Sequence, residues 1–250
     1  MAAKTAKKQS KVEVPETLIP NIVVAITALP KHGKTYLMCT FPDPLVLFSF
    51  DDGAEYVVKK YFPDKDIRII KYELPIIETV RALGFKKDIL EVWNDFSKDY
   101  SQYVEDPEIK TIGIDTATAE YELARIARTG ELGRELDPTE YGDVYLRLKA
   151  KLQKARINGK NLVLTHYVKE QYGEDGKGNG KYVLDGWKHT EGEVDVVLEL
   201  ALKKQAVEGG KMKNIVQTTI KLNRFDLDIN GQVIDSATYD ELVTYLGLDA

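Results

Sequence analysis

The sequence predicts an α/β fold: a mainly parallel central sheet flanked by helices, completed by a C-terminal β-hairpin and a short helix. Three observations lead there. Apolar, β-branched runs too short for helices recur at residues 22–28, 45–50, 111–116 and 162–166. Segments of helical periodicity separate them, the alternation expected of parallel strands joined by crossover helices. The runs also end in polar residues, so Lys34 and Thr35, Asp51 and Asp52, and Asp115 converge on the carboxyl edge of the sheet, where such folds bind ligands.

The first run, residues 22–28, reads as a buried strand that breaks into a tight loop. The loop Ala28-Leu29-Pro30-Lys31-His32-Gly33-Lys34-Thr35 ends in Gly-Lys-Thr, and Tyr36-Leu37-Met38 opens a helix. This is the phosphate-binding pattern G-x-x-x-x-G-K-[ST], with Ala28 where the first glycine normally stands. Successive backbone N–H groups and a helix N-terminus form a concave anion site, Lys34 neutralises the outer phosphates, and the Thr35 hydroxyl suits Mg²⁺. Nucleotide binding by residues Ala28 to Tyr36 is therefore expected. Alanine is small enough for the turn but is strained if that position requires φ > 0.

The second run, residues 45–50, is a buried strand ending in the acidic turn Asp51-Asp52-Gly53-Ala54-Glu55. Hydrolysis of a phosphoanhydride needs a carboxylate that orients water. Asp52 or Asp51 is the candidate, with Glu55 a weaker third; the alternative is that these acids cap the helix that follows. Residues 67–70 form a short third strand, and residues 75–100 read as helical around Ile89, Leu90, Val92, Trp93 and Phe96. The run Thr111-Ile112-Gly113-Ile114-Asp115-Thr116 places an acid at a strand end. That is the signature of a Walker B carboxylate, which holds Mg²⁺ directly or through its water shell. The competing use of Asp115 is as a cap for the helix over residues 118–128.

Asp137-Pro138-Thr139-Glu140 reads as a helix start, with a capping acid, proline at the first helical position and glutamate at the third. Tyr141, Tyr145, Leu148, Leu152 and Ala155 continue that helix as one apolar stripe, and Asn158-Gly159 ends it. The strand at 162–166 ends in Thr165 and His166, where P-loop ATPases place a polar residue that senses the γ-phosphate. Residues 173–180 form a Gly- and charge-rich turn with strand-like flanks, a protruding hairpin. Two further strands, 194–202 and 215–225, are joined by a turn at Gly209-Gly210. A capping box, Thr238-Tyr239-Asp240-Glu241, opens a last helix through Leu246.

Composition limits the function classes. The 250 residues are 43% hydrophobic and 30% charged with a net charge of −5, the balance of a soluble globular protein whose nucleic-acid contacts must be local patches. A single cysteine, Cys39, and three scattered histidines give neither an intrachain disulfide nor a structural zinc site and fit a reducing compartment. No apolar run approaches the roughly 18 residues of a membrane span, and no signal-peptide core opens the chain. A cytoplasmic location is expected. Residues 1–18 read as a basic tail carrying Lys4, Lys7, Lys8 and Lys11, either solubilising or phosphate-holding. Residues 19–250 read as one ATPase domain.

Taken together, Ala28-Leu29-Pro30-Lys31-His32-Gly33-Lys34-Thr35, Asp51-Asp52-Gly53, Ile112-Gly113-Ile114-Asp115-Thr116 and Leu162-Val163-Leu164-Thr165-His166 resemble the phage-encoded RecA-like nucleotide-binding proteins over residues 20–225. Those are small single-domain ATPases of single-strand annealing and recombination. Asn223-Arg224-Phe225 is similar to the core of the Lys-Asn-Arg-Phe-Gly motif of RadA-type relatives. Here Leu222 stands at the lysine position, Lys221 one residue earlier, and Asp226 at the glycine.

The resemblance implies a RecA-like core acting in the cytoplasm of a phage host, and a homo-oligomeric ring or filament with ATP and Mg²⁺ at subunit interfaces. It also implies a cationic finger from a neighbour, Arg224 or Lys221; such fingers are worth about 10³–10⁵ in rate in other NTPases. In RecA-like proteins two loops face DNA, and they match residues 129–136 and 167–188 here. The second holds Lys169, Tyr172, Lys177, Lys181, Tyr182, Trp187 and Lys188; cations for phosphates and aromatics for stacking suit single-stranded DNA. Glu170, Glu174, Asp175 and Asp185 dilute that charge, so a solvated hairpin is the alternative. A single-strand DNA-binding protein is a further implied partner. The expected function is a Mg²⁺-dependent ATPase of DNA recombination or annealing. The rivals are a P-loop phosphotransferase for a small molecule and a nucleotide-gated interaction module that does not hydrolyse ATP.

Overall fold

A computed structural model describes residues 21–73, 85–132, 134, 136–173, 178–206, 212–235 and 238–248. In chain order it contains β1 (Val23–Ala28), α1 (Lys34–Thr40), β2 (Leu45–Ser49), α2 (Ala54–Tyr61), β3 (Ile67–Lys71), α3 (Phe85–Glu105), β4 (Thr111–Asp115), α4 (Ala117–Leu132) and α5 (Tyr141–Ile157). There follow β5 (Asn161–His166), β6 (Val168–Tyr172), β7 (Gly178–Leu184), α6 (Thr190–Glu193), β8 (Val196–Ala206), β9 (Met212–Asn223), β10 (Val233–Asp235) and α7 (Tyr239–Tyr245).

Eight strands form the main sheet in the order β10-β9-β8-β1-β5-β4-β2-β3. From β8 to β3 every neighbouring pair is parallel, and β9 and β10 add an antiparallel edge. The α/β class and mainly parallel sheet read from the sequence are therefore present, and the C-terminal hairpin is built into the sheet. β1, β2, β4 and β5 are buried at every position. Strands covered on both faces show no polar alternation, which is why they read as continuous apolar runs.

Alternate residues of the central strands enter two cores. Val23 and Ala25 of β1, Val46 and Phe48 of β2, and Ile112 and Ile114 of β4 pack with Phe96, Leu123, Ala127, Leu148 and Leu152 of α3, α4 and α5. Ile22, Val24, Ile26, Leu45 and Leu47 pack with Leu37 and Met38 of α1 and Leu242 and Val243 of α7. Gly113 gives the Met38 side chain of this second core its room over β4: a Cβ there would stand 2.5 Å from the Met38 sulfur.

Some boundaries differ from the sequence reading. The helix expected at 118–128 runs on as α4 to Leu132, so residues 129–132 are helical and not part of a loop. The capping box at Asp137 forms on a 3₁₀ turn, Pro138–Glu140, that leads into α5. The helix that follows the acidic turn is present as short α2, whereas three-residue β10 was not anticipated. The basic tail 1–18, the turn at Gly209-Gly210, residues 75–84 of the expected helical segment, and Lys177 lie outside the described residues. Among those described, no helix is long and apolar enough to cross a membrane.

A buried ion pair ties the helical layer together. Lys151 Nζ of α5 lies 2.7 Å from Glu120 Oε1 of α4, and 4.0 and 4.1 Å from the ring centres of Trp93 and Phe96 of α3. Burial pushes the Lys151 pKa down, and Glu120 opposes it. Glu120→Gln should leave the ammonium without its counter-charge and cost about 3–5 kcal/mol in urea unfolding. Adding Lys151→Met to Glu120→Leu should return most of that loss. A cost below about 1 kcal/mol for Glu120→Gln would mean that the aromatic faces alone carry the ammonium.

Candidate functional site

The phosphate loop leaves β1 at Ala28, which is still extended strand backbone, so the position does not require the φ > 0 that only glycine takes freely. The left-handed conformation falls instead on Lys31 (φ 66°) and Gly33 (φ 91°). Gly33 is also crowded, because a Cβ there would meet the Val216 side chain of β9 at 3.1 Å. Its carbonyl accepts the Leu37 N–H at 3.0 Å and starts the α1 ladder. Leu29 and Tyr36 are partly exposed, and Pro30 and Lys31 are exposed beside half-buried His32.

Lys34 turns inward and is only 7% exposed. Its Nζ donates to the carbonyls of Ala28 at 3.2 Å and Leu29 at 3.3 Å, and the ring of Tyr167 covers it at 4.4 Å. Burial pushes the Lys34 pKa down, while the carboxylates of Asp115 and Asp51 oppose that shift.

Asp115 ends β4 buried. Its Oδ2 accepts from Thr35 Oγ1 at 2.7 Å and its Oδ1 from Thr165 Oγ1 at 2.5 Å. Burial pushes its carboxyl pKa up, and the two hydroxyls oppose the shift by favouring the charged form. The capping use of this acid is taken by its neighbour: Thr116 Oγ1 accepts the Ala119 N–H at 3.2 Å. A carboxylate beside a threonine hydroxyl is the protein share of a Mg²⁺ site completed by substrate phosphates and water. Among the described residues no three His, Cys, Asp or Glu side chains form an all-protein metal cage.

The two adjacent acids at the end of β2 separate. Asp51 Oδ2 accepts from the Tyr167 hydroxyl and Oδ1 from the Asp52 N–H at 2.8 Å, and this carboxylate lies near enough to act on both Lys34 and Asp115. Asp52 does not join the pocket. Its side chain is 93% exposed and pairs with Lys71 at 2.9 Å, which Glu55 also engages at 3.0 Å. Register contributes to the split, since Lys71 ends β3 opposite Ser49, within reach of Asp52 and Glu55.

At the end of β5, Thr165 touches Asp115, whereas His166 turns elsewhere: its Nδ1 meets the Asp185 carbonyl at 3.2 Å. Burial pushes the His166 pKa down to about 4, so the ring is neutral. Tyr167, the next residue, was not singled out from sequence. Nothing in a tyrosine after a strand end marks it, and its role depends on contacts with Lys34 and Asp51, more than 100 residues away.

Arg224 is not in this pocket. Its Nη1 lies 3.0 Å from Asp195 Oδ1 and its Nη2 donates to the Val194 carbonyl at 3.0 Å. Asp195 in turn accepts from the N–H of Val23, the first residue of β1. Arg224 therefore marks the amino edge of the sheet, a strand length of about 17 Å from the loop that follows Ala28. Lys221 pairs with Glu199 at 3.4 Å.

β6 and β7 form a separate two-stranded ribbon. Tyr172, Lys181, Tyr182 and Lys188 are exposed, but Lys169 is paired with Asp185 at 2.9 Å. Trp187 corrects the expectation of a stacking aromatic: it is 4% exposed and sits in the core against Tyr145 at 6.2 Å and His189 at 6.0 Å. In the other expected loop, Arg134 is held by Asp137 at 3.3 Å and Glu140 at 2.7 Å.

A family model described as an AAA domain matches residues 20–234. No curated protein matches the chain. Among solved structures, a KaiC-like protein from the hyperthermophilic archaeon Pyrococcus horikoshii is similar over 85% of this chain and 84% of that one, at 16% identity and a TM-score of 0.43.

The neutral His166 carries a pH signature. Its pKa falls from 6.5 when unfolded to about 4 in the fold, so below pH 6.5 the unfolded chain takes up a proton that the native ring refuses. Stability should fall as pH drops through this window, by at most roughly 3 kcal/mol from this group. Urea unfolding at pH 7, 6 and 5 should show a shallower decline in His166→Asn. Equal slopes would show that His166 titrates as in an open chain.

Proposed function

Because the chain belongs to the AAA domain family, we propose that it binds ATP with Mg²⁺ and hydrolyses it as a RecA-like ATPase acting on single-stranded DNA. The observation that carries this reading is one contact network in which Thr35 and Thr165 clasp Asp115, with Lys34 and Asp51 alongside. It joins a cation, hydroxyls and carboxylates from four separate strand ends.

Each group has a role that its surroundings suit. Lys34 exchanges its two carbonyl acceptors for anionic phosphate oxygens, which make stronger charge-assisted bonds. Thr35 and Asp115 are the residues that would hold Mg²⁺, which when bound supplies neutralising charge at the phosphates. Asp51 orients the attacking water as a hydrogen-bond acceptor. Thr165 favours the charged form of Asp115 and aims it. Arg224, at the opposite edge of its own sheet, could serve only the nucleotide of a neighbouring subunit, which fits assembly into a ring or filament.

The DNA half of the reading draws on the motif set's resemblance to phage-encoded recombination proteins and on the exposed Lys181, Tyr172 and Tyr182 of the ribbon. Lys181 and Tyr182 are successive strand residues and so face opposite sides. A single strand would have to cross the ribbon's edge or tip to meet both.

Lys34→Ala should lower ATP turnover by about 100-fold or more, the scale of losing one charged donor at developing phosphate charge, with an unchanged circular dichroism spectrum. Turnover at the wild-type rate would remove the phosphate-loop assignment. If wild type instead binds nucleotide tightly without turnover, the protein is a nucleotide-gated module. For DNA, Lys181→Ala should weaken binding of oligo-thymidine and reduce the slope of log K against log salt by roughly 0.7. An unchanged slope would take the ribbon out of the interface.

A further inference from the structure

Tyr167 lies between two parts of the molecule and is bonded to both. Its ring covers Lys34 Nζ at 4.4 Å and its hydroxyl donates to Asp51. Its main chain belongs to the root of the β6–β7 ribbon. The Tyr167 N–H donates to Thr118 Oγ1 at 3.0 Å, and the Thr118 hydroxyl donates to the Asp185 carbonyl at 2.7 Å. The Asp185 N–H donates to the Tyr167 carbonyl at 2.9 Å. Residues 167 and 185 thus close the base of the ribbon, directly before β6 and after β7.

We propose that Tyr167 is a positioning residue: it aims Asp51 and covers Lys34, and it ties both to the seating of the ribbon through Thr118 and Asp185. The inference rests on the nucleotide-binding reading. The physical argument is one of exclusive partners. An aromatic face attracts an ammonium, but a phosphate oxygen competes for the same Lys34 group with a full negative charge. When Lys34 turns to phosphate, the ring loses its cation, and among the described residues Asp51 remains as the side-chain anchor of Tyr167. Movement of the phenol either shifts Asp51 or breaks their bond, and movement of its main chain disturbs the bonds that close the ribbon. Occupancy of the phosphate loop and placement of the ribbon therefore bias each other, as linkage requires of sites sharing one element.

Thr118 gives a test outside the pocket. Tyr167→Phe keeps the ring over Lys34 and frees Asp51. It should lower kcat about 10-fold, within the range expected of a misplaced group, with KM for ATP and calorimetric ADP affinity within about twofold of wild type. Thr118→Val should also lower kcat, and the double variant should fall less than the product of the single effects. In wild type, ADP should change amide hydrogen exchange in both the 31–36 loop and the β6–β7 ribbon. In Tyr167→Ala, ADP should still protect the loop while the ribbon no longer responds. A ribbon that responds equally in Tyr167→Ala, or a Tyr167→Phe enzyme with wild-type kcat, overturns the positioning role and leaves nucleotide binding intact. Absence of any ADP effect on the 31–36 amides in wild type overturns both.

Discussion

A single buried carboxylate joins the parts of the pocket. Asp115 sits at the end of β4 and takes one hydroxyl from the phosphate loop, Thr35, and one from the adjoining strand, Thr165. A buried carboxylate without donors would be driven to its neutral form, and burial does push the Asp115 pKa up. The two hydroxyls oppose that shift by favouring the charged form. They also fix distances, because each bond holds a separate chain segment to the same pair of oxygens. Gly113 in β4 leaves room for the Met38 side chain of α1.

The sheet supplies the frame in which this works. β1, β4 and β5 are parallel strands, β5 pairing with both β1 and β4, and all three are buried throughout, so their carboxyl ends lie side by side at one edge of the sheet. Cores on both faces keep them from shifting against one another. The amino edge has its own clamp: buried Asp195 accepts from the Val23 N–H at 2.7 Å and pairs with Arg156 at 2.9 Å and Arg224 at 3.0 Å. Releasing Arg224 to act elsewhere would leave Arg156 in place on Asp195, so the acid would not be stranded without a counter-charge.

What the sequence made legible follows from this division. Strands buried on both faces are runs of Val, Ile and Leu, and a polar residue at their end is conspicuous; Lys34, Thr35, Asp115 and Thr165 could be read that way. Choices between adjacent residues could not. Asp51 and Asp52 have the same chemistry, and the difference lies in Lys71, which reaches one of them from a strand whose register no local pattern fixes. Trp187 looked like a stacking platform because its neighbours are charged, yet Tyr145 of a helix formed some 40 residues earlier buries it. Tyr167 was invisible for the same reason, since its importance consists of long-range contacts. β10, with three residues, is too short for a periodicity to register.

The charge balance of the pocket narrows what it can accept. One ammonium, Lys34, faces two carboxylates, Asp51 and Asp115, and each carboxylate opposes the desolvation that would discharge the lysine. Asp51 also pushes the Asp115 pKa further up, the behaviour of like charges sharing too little counter-charge. A bare triphosphate would add several negative charges to a site already short of positive ones, at short range and partly out of water, where Coulomb terms are strong. A nucleotide that arrives with a divalent cation removes the conflict, and the Thr35 hydroxyl beside the Asp115 carboxylate offers that cation oxygen ligands. The same imbalance explains why the Tyr167 hydroxyl is useful on Asp51: a neutral donor holds the second carboxylate without adding a cation that would compete with Lys34 for phosphate.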